Sequence, residues 1–451
     1  MDPSVITIII ICVMMILYLT ELLPVAATSL LACLALAVFG VVPINAAFSG
    51  FGNDIVYLIA GMVVVGCALF ETGVAQIMGE KIISLVGTNE RVFTVALIAV
   101  TTIISLFISN TATMAVMLPI AASAIAASGG KLKKKNIYMM AGIATVVTGG
   151  LTLVGSTPQL IAQGFLQDGG YETMGFFEIS KIGLPVFALM VIYFQTIGRA
   201  LLQRVYVHED DLHAEPIEPP SETDFRRNTT GLSRKYDEAP AENPPKDGRS
   251  GLLSKVPKMC VSVAILIFCI IGFVAGFWSM GAVAMVGAIA CVATGCISQK
   301  RVFEQMDWTT IIIMGCSFSL SAALDSSGAG RLIAQGVVGL LGDGVSPWLL
   351  CAALALVSML LTNFMSSTAT AALLIPIAAF VAVELGYNVK SVVMATAIAV
   401  NLGFTTPIST PPITMTLSGG YRFMDYVKVG GLLNVMSYIL IVSLFPIMFT
   451  F

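Results

Sequence analysis

The chemistry this sequence offers is concentrated in two short clusters of hydroxyl and amide side chains. Ser109, Asn110, Thr111 and Thr113 form the first; Ser366, Ser367, Thr368 and Thr370 form the second, 257 residues later (109 to 366, 113 to 370). Each cluster interrupts a long apolar stretch, 92–129 and 347–386, where a lipid-facing helix would not tolerate it. Both stretches therefore read as re-entrant helical hairpins with polar tips. Hydroxyls and amides bind through neutral hydrogen bonds. Carbonyls freed at a helix break coordinate small cations, and helix N-termini offer positive partial charge to an anion. Neither hairpin contains Lys or Arg. A bound dianion would need neutralising by helix dipoles and co-bound cations, most simply Na+, which is a physical reason for obligatory cation coupling. Ser and Thr also serve simply to bond their own helix carbonyls or to ease helix packing. Finding the cluster twice, in register and beside two proline-broken spans, favours a binding role.

These tips must be held by membrane-embedded helices. The chain has 451 residues, 57% hydrophobic and 11% charged. Residues 207–250 alone hold 17 of the 49 charges, leaving about 8% in the remainder, against about 25% for a soluble domain. The sequence is that of an all-α polytopic membrane protein. Apolar windows of spanning length fall at 4–20, 24–42, 54–76, 137–166, 180–205, 254–275, 279–297, 309–325, 389–417 and 428–450, giving about ten transmembrane helices besides the hairpins. Two are interrupted, at Gly155-Ser156-Thr157-Pro158 and Ser409-Thr410-Pro411-Pro412. Trp278, Trp308 and Trp348 fall near span ends, as interfacial anchors do.

The two halves repeat. Phe107–Pro119 (FISNTATMAVMLP) matches Phe364–Pro376 (FMSSTATAALLIP). Upstream, Ala68-Leu69 before Thr72-Gly73 is echoed by Ala323-Leu324 before Ser327-Gly328; downstream, Ser156-Thr157-Pro158 is echoed by Ser409-Thr410-Pro411. This order divides the chain into a first membrane repeat (1–206), a hydrophilic linker (207–252) and a second membrane repeat (253–451). Basic residues place Lys131, Lys133, Lys134, Lys135, Arg199, Arg204, Lys300 and Arg301 on the cytoplasmic side of a plasma membrane. The N-terminus is then outside and the linker inside. Hairpin 92–129 enters from the cytoplasm and hairpin 347–386 from outside, so the repeats are inverted. Inverted repeats with broken helices at matching positions are the pattern of a secondary transporter.

Other classes are disfavoured. Both histidines, His208 and His213, lie in the linker, so the membrane part has no imidazole for catalysis or metal binding. The charge balance of −3 leaves no basic face for nucleic acid. The nine cysteines sit singly in apolar runs and read as buried hydrophobes. Glu21, between the first two spans, is a weaker candidate for a proton relay. Glu71 and Asp325, near matching helix ends, are expected to face water.

With these residues in view, the sequence resembles the divalent-anion:sodium symporters, carriers of di- and tricarboxylates or sulfate within the ion-transporter superfamily. The signs are the Ser109-Asn110-Thr111 tip, the TATxA continuation in both hairpins, Met306-Asp307-Trp308 ahead of a helix, and Thr410-Pro411-Pro412. The resemblance implies an elevator-type fold, with a scaffold forming a homodimer and a transport domain that moves. It implies one small anion and two or more Na+ ions, with no organic cofactor. By position, a first sodium site would use Ser105, Ser109, Asn110 and Gly155, and a second Thr362, Met365, Ser367 and Ser409. Substrate would contact Ser109, Asn110, Thr111, Ser366, Ser367, Thr368, Thr410 and Pro411. The second tip departs from the family by having Ser367 where an Asn is usual, which removes one sodium or carboxylate ligand unless Asn363 or Asn401 substitutes. Gln159 and Ile413 also replace the usual Asn after the prolines, and ten spans are expected where the family has eleven, one N-terminal helix fewer.

The resulting expectation is a sodium-coupled importer of C4-dicarboxylates such as succinate, malate or fumarate, not an enzyme. A sodium-independent anion exchanger for di- or tricarboxylates or sulfate is the nearest alternative. A Na+/H+ antiporter would want a carboxylate at a tip or break, where none lies. An intramembrane hydrolase would want a base beside Ser109.

Overall fold

In an apolar solvent every backbone polar group must find its partner within the chain, which leaves helices as the natural outcome of these apolar runs. The computed structural model describes residues 2–20, 22–74, 77, 89–128, 131–205, 250–276, 278–341, 345–407 and 409–448. Its regular structure is helical, with no strand among the described residues. In chain order the helices are α1 (Pro3–Thr20), α2 (Val25–Val38), α3 (Asp54–Glu71), α4 (Glu90–Ser105), α5 (Asn110–Ala127), α6 (Lys134–Gly149), α7 (Thr157–Asp168), α8 (Ser180–Gln195), α9 (Ile197–Val205), α10 (Ser250–Ala275), α11 (Met280–Ala293), α12 (Gln299–Gln305), α13 (Trp308–Ser326), α14 (Ala329–Leu341), α15 (Pro347–Thr362), α16 (Ser367–Leu385), α17 (Val389–Val400), α18 (Pro411–Met415) and α19 (Phe423–Met448).

Six of these, α1, α3, α10, α13, α16 and α19, are long and apolar enough to cross a membrane. The pair α8–α9, bent by 43°, makes a seventh if taken together. The other predicted spans are shorter or interrupted. α2 and α11 have 14 residues each, about 21 Å of helix against a hydrocarbon core of about 30 Å. Windows 137–166 and 389–417 are each split, into α6 and α7 and into α17 and α18. A hydropathy window measures apolar length and does not register such breaks. Glu21 and residues 207–249 of the linker, with both histidines, lie outside the described residues, and α10 begins at Ser250, inside the expected linker.

The hairpins form as two helix–turn–helix units. α4 and α15 begin and end with the same 257-residue separation as the tips, 90 to 347 and 105 to 362. The second helix of each unit starts on a serine cap: Ser109 accepts from Ala112 N (3.4 Å) and Ser366 from Ala369 N (3.2 Å). Each second helix also contains a proline, Pro119 or Pro376.

Packing divides the helices into two groups, each drawing on both halves of the chain. One group is α1–α3 with α10–α14, in which α3 and α11 share the most extensive contact. The other contains both hairpins, α6–α9 and α17–α19. The groups meet where α16 lies on α13 and α14, and where α7 lies on α13 and α3. Polar bonds cross there too: Asn53 Nδ2 donates to Asp168 Oδ1 (2.6 Å), and Glu384 of α16 takes Gln335 Nε2 (3.1 Å) and Arg331 Nε (3.4 Å) of α14. Within the second group, Lys390 Nζ joins Glu172 and Glu178, each at 2.8 Å, and Arg199 joins Glu90 at 2.9 Å. All nine cysteines are free, and seven are buried. Asp325 is exposed, whereas Glu71 lies 3.6 Å from Arg301.

Candidate binding site between the hairpin tips

The first tip closes against the break between α6 and α7. Ser105, fully buried at the end of α4, donates from Oγ to Thr145 O of α6 (3.0 Å). The Asn110 carboxamide, opening α5, puts one end 2.7 Å from Ser105 Oγ and 3.1 Å from both Thr145 O and Gly155 O. Three oxygens from three elements thus surround a fourth polar atom. No side chain lies between because Gly149 carries none; a Cβ there would run into the Asn110 carboxamide. Thr152 braces the arrangement, donating from Oγ1 to Leu106 O (2.5 Å) and accepting from Gly155 N (3.1 Å).

The second tip repeats the plan with different side chains. Thr362 Oγ1 donates to Ser367 Oγ (3.3 Å), and Ser367 N donates to Ser409 O (3.4 Å). Ser409 Oγ in turn donates to Gly403 O and to Thr406 O, the latter at 3.2 Å. Thr362, Ser367 and Ser409 are buried. Thr406 braces this tip as Thr152 braces the first, donating to Asn363 O (2.5 Å).

Neither candidate replacement for the missing amide serves that tip. Asn363 clamps backbone, donating from Nδ2 to Met359 O (2.6 Å) and Leu402 O (3.3 Å) and accepting from Thr405 N (2.9 Å). Asn401 accepts from Ser156 Oγ (2.6 Å) and donates to Ala397 O (3.1 Å). The second tip therefore offers hydroxyls and backbone alone. The Ser156–Asn401 bond has a further consequence, since it joins the two helix breaks. Ser156 stands at the N-cap of α7 yet does not cap it, and Thr410 likewise leaves α18 uncapped. At α7 this leaves the terminal N–H groups without a side-chain cap, whereas α18 opens on Pro411 and Pro412, which have no N–H, and Ile413 N donates to Thr410 O (3.0 Å).

Of the residues expected to contact substrate, Ser109 and Pro411 are exposed, and Asn110, Thr111, Ser366 and Thr368 are half-buried. Ser367 and Thr410 are buried, and the Thr410 hydroxyl has no partner. Among the expected sodium ligands, Ser105, Asn110 and Gly155 come together. The Ser109 hydroxyl instead caps α5. Met365 packs its side chain in an apolar cluster with Leu320, Ala369 and Leu373, leaving only its backbone available to an ion. Sequence reasoning missed the Thr145 carbonyl and the Thr152 and Thr406 braces. A carbonyl has no sequence signature, although the recurrence of the threonines 254 residues apart (152 to 406) was open to notice. Among the described residues, no three His, Cys, Asp or Glu side chains gather to hold a metal. The donor set is one of neutral oxygens, suited to a weakly bound alkali cation.

Residues 15–392 match the CitMHS family, described as citrate transporter. An uncharacterized transporter of Haemophilus influenzae is 28% identical over 95% of this chain and 88% of its own length. The sodium-dependent dicarboxylate transporter SdcS of Staphylococcus aureus is 25% identical over 94% of this chain and 82% of its own. Among solved structures, Neisseria gonorrhoeae MtrF superposes with a TM-score of 0.57 at 15% identity, covering 99% of this chain and 95% of MtrF. Alcanivorax borkumensis YdaH gives 0.53 at 13% identity, covering 89% and 86%. At these identities the structural likeness concerns fold alone.

Proposed function

The chain belongs to the CitMHS citrate-transporter family and is a multi-pass secondary transporter of carboxylates; from that premise we propose that it imports small divalent carboxylates together with sodium. The observation carrying this reading is the first tip, where Ser105 Oγ, Thr145 O and Gly155 O converge on the Asn110 carboxamide. With its oxygen turned inward, Asn110 Oδ1 adds a fourth neutral oxygen to these three, the ligand type Na+ takes. Ser367, Thr362 and Ser409, with the Met365 backbone, supply a second such set. The anion lies between the tips, met by Ser109, Thr111, Ser366, Thr368, Thr410 and the uncapped N-terminus of α7.

No Lys or Arg occurs in 105–113, 155–159, 362–370 or 401–413. Each negative charge on the substrate must be balanced by a co-bound cation or a helix dipole. A dianion needs fewer such partners than a trianion, which places succinate, malate and fumarate ahead of fully ionised citrate. The two packing groups supply the moving parts: the group with both hairpins travels as an elevator against the other, which forms a dimer in the plasma membrane. The inverted repeats provide equivalent inward- and outward-facing positions.

The test is uptake of labelled succinate into proteoliposomes under an inward Na+ gradient, with K+ or choline replacing Na+ as control. Unlabelled citrate and sulfate serve as competitors. Uptake that needs Na+ is expected. Uptake indifferent to Na+ but stimulated by trans-loaded succinate would instead identify an exchanger.

A further inference from the structure

Two cysteines and a methionine from three helices line one small cavity, and we propose that they form a binding site for a soft monovalent metal ion of the Cu+ class. Met14 of α1, Cys33 of α2 and Cys316 of α13 stand around it, and Ala372 of α16 forms part of the wall. All three sulfur-bearing residues are buried. The Cys33 thiol lies 3.5 Å from Cys316 O, and the two thiols are within reach of each other. His, Cys, Asp and Glu alone assemble no such trio among the described residues; here a thioether completes it.

Size and donor type select the occupant. The cavity offers about 10 Å3, room for a single water-sized sphere and for no organic molecule. A buried water is held by about two to four polar partners. The hydroxyls that line this cavity are engaged with one another or with backbone: Tyr18 pairs with Ser29 (2.6 Å), Ser29 donates to Val25 O (2.8 Å), and Ser317 donates to Ile313 O (2.7 Å). What remains is sulfur. Thiols and thioethers are weak hydrogen-bonding partners for water but strong ligands for soft cations.

Charge sets the valence. An ion in so apolar an interior must leave the filled site close to neutral. A monovalent ion meets that condition when one thiol proton leaves to solvent as the ion enters. The resulting thiolate cancels its charge, and the second thiol and the thioether bind as neutral donors. A hard ion such as Na+ gains little from sulfur, which separates this site from the oxygen ligands at the hairpin tips. α1, α2 and α13 belong to one packing group, so the ion ties these three helices to one another and does not bridge to the hairpins. The site is independent of whether carboxylate uptake needs Na+.

Ag+ is the probe, because it shares the charge and filled d shell of Cu+ and keeps its oxidation state in air. The full chain carrying Cys12→Ser and Cys260→Ser, which remove the two exposed thiols, is purified in detergent as a single eluting species. It is titrated with Ag+ in chloride-free buffer, and bound metal is counted after unbound ion is removed. Cys33→Ala and Cys316→Ala, each made in that background, should hold one Ag+ per chain fewer. Met14→Leu keeps both thiols and nearly the same volume, so it tests the site without disturbing the fold. Read by competition with thiosulfate, its affinity should fall by at least about tenfold, the lower end of what losing an outer-shell partner costs a metal site. A reaction of the thiols alone would not respond to that methionine. An Ag+ count that neither cysteine substitution lowers would overturn the site, and so would Met14→Leu binding Ag+ as tightly as its parent.

Discussion

Ser105 and Asn110 touch the far side of their site through backbone carbonyls of the neighbouring broken helix, so substitutions there disturb the cation seat before they disturb packing. Asn110→Ala removes a ligand and its donor from a half-buried position. Coupled uptake should fall by about 100-fold, as expected when a hydrogen-bonding group to charged partners is lost, while membrane insertion and thermal stability stay near wild type. Proteoliposome uptake beside a detergent melting curve separates the two. Ser367→Asn adds an amide at the second tip and should lower the Na+ concentration giving half-maximal uptake. An unchanged sodium dependence would mean that hydroxyls and backbone already complete that shell. Asn363 has a different job. Asn363→Ala would strand the Thr405 N–H and is expected to cost about 1–3 kcal/mol of stability, read as a lower melting temperature with sodium dependence retained.

At the scale of elements, the broken helices are held in place from both halves of the chain. Ser156–Asn401 joins the breaks, and Lys390 at the start of α17 meets Glu172 and Glu178 from the loop between α7 and α8. Burial pushes the Glu178 carboxyl up, but hydrogen bonds from Lys390 and Gly175 N outweigh it and hold the group below its usual range. Its contribution to stability is therefore full above the unfolded value of about 4.3 and is lost as pH falls through the lower folded value. The melting temperature of Glu178→Gln should lie below wild type at about pH 6, and the gap should narrow toward about pH 3. A gap independent of pH would assign Glu178 a packing role instead.

Across the whole molecule, the contact of α16 with α13 and α14 and of α7 with α13 and α3 is what the proposed elevator would have to slide past. Phe318 of α13 lies against Gly164 of α7, where a Cβ would strike its ring. Gly164→Leu should wedge this contact and slow uptake far more than it weakens equilibrium substrate binding. Equal loss of both would point to misfolding instead. Deleting 207–249 and bridging the ends with a flexible tether should leave transport intact if the linker serves only as a connection. If the full chain elutes as the proposed dimer and the deletion variant does not, that segment has an assembly role.

The apolar runs, the charge-poor membrane region and the paired polar tips were legible in the sequence because they follow from one solvent. A bilayer demands long apolar segments with internally paired backbone, and it makes any polar cluster conspicuous. The hairpin turns could also be read, because identical spacing in two halves marked both ends. The shell around Asn110 was only partly legible. Side-chain ligands leave a trace in residue type, but the Thr145 carbonyl belongs to a residue 35 positions away (110 to 145) and could equally have been any other. Tertiary structure also decided what Asn363 and Asn401 do. Sequence offered both as substitutes for the missing amide, whereas packing commits one to backbone and the other to Ser156. A side chain's type sets which bonds it is able to make, and only the fold determines which partners lie within 3 Å or so of it.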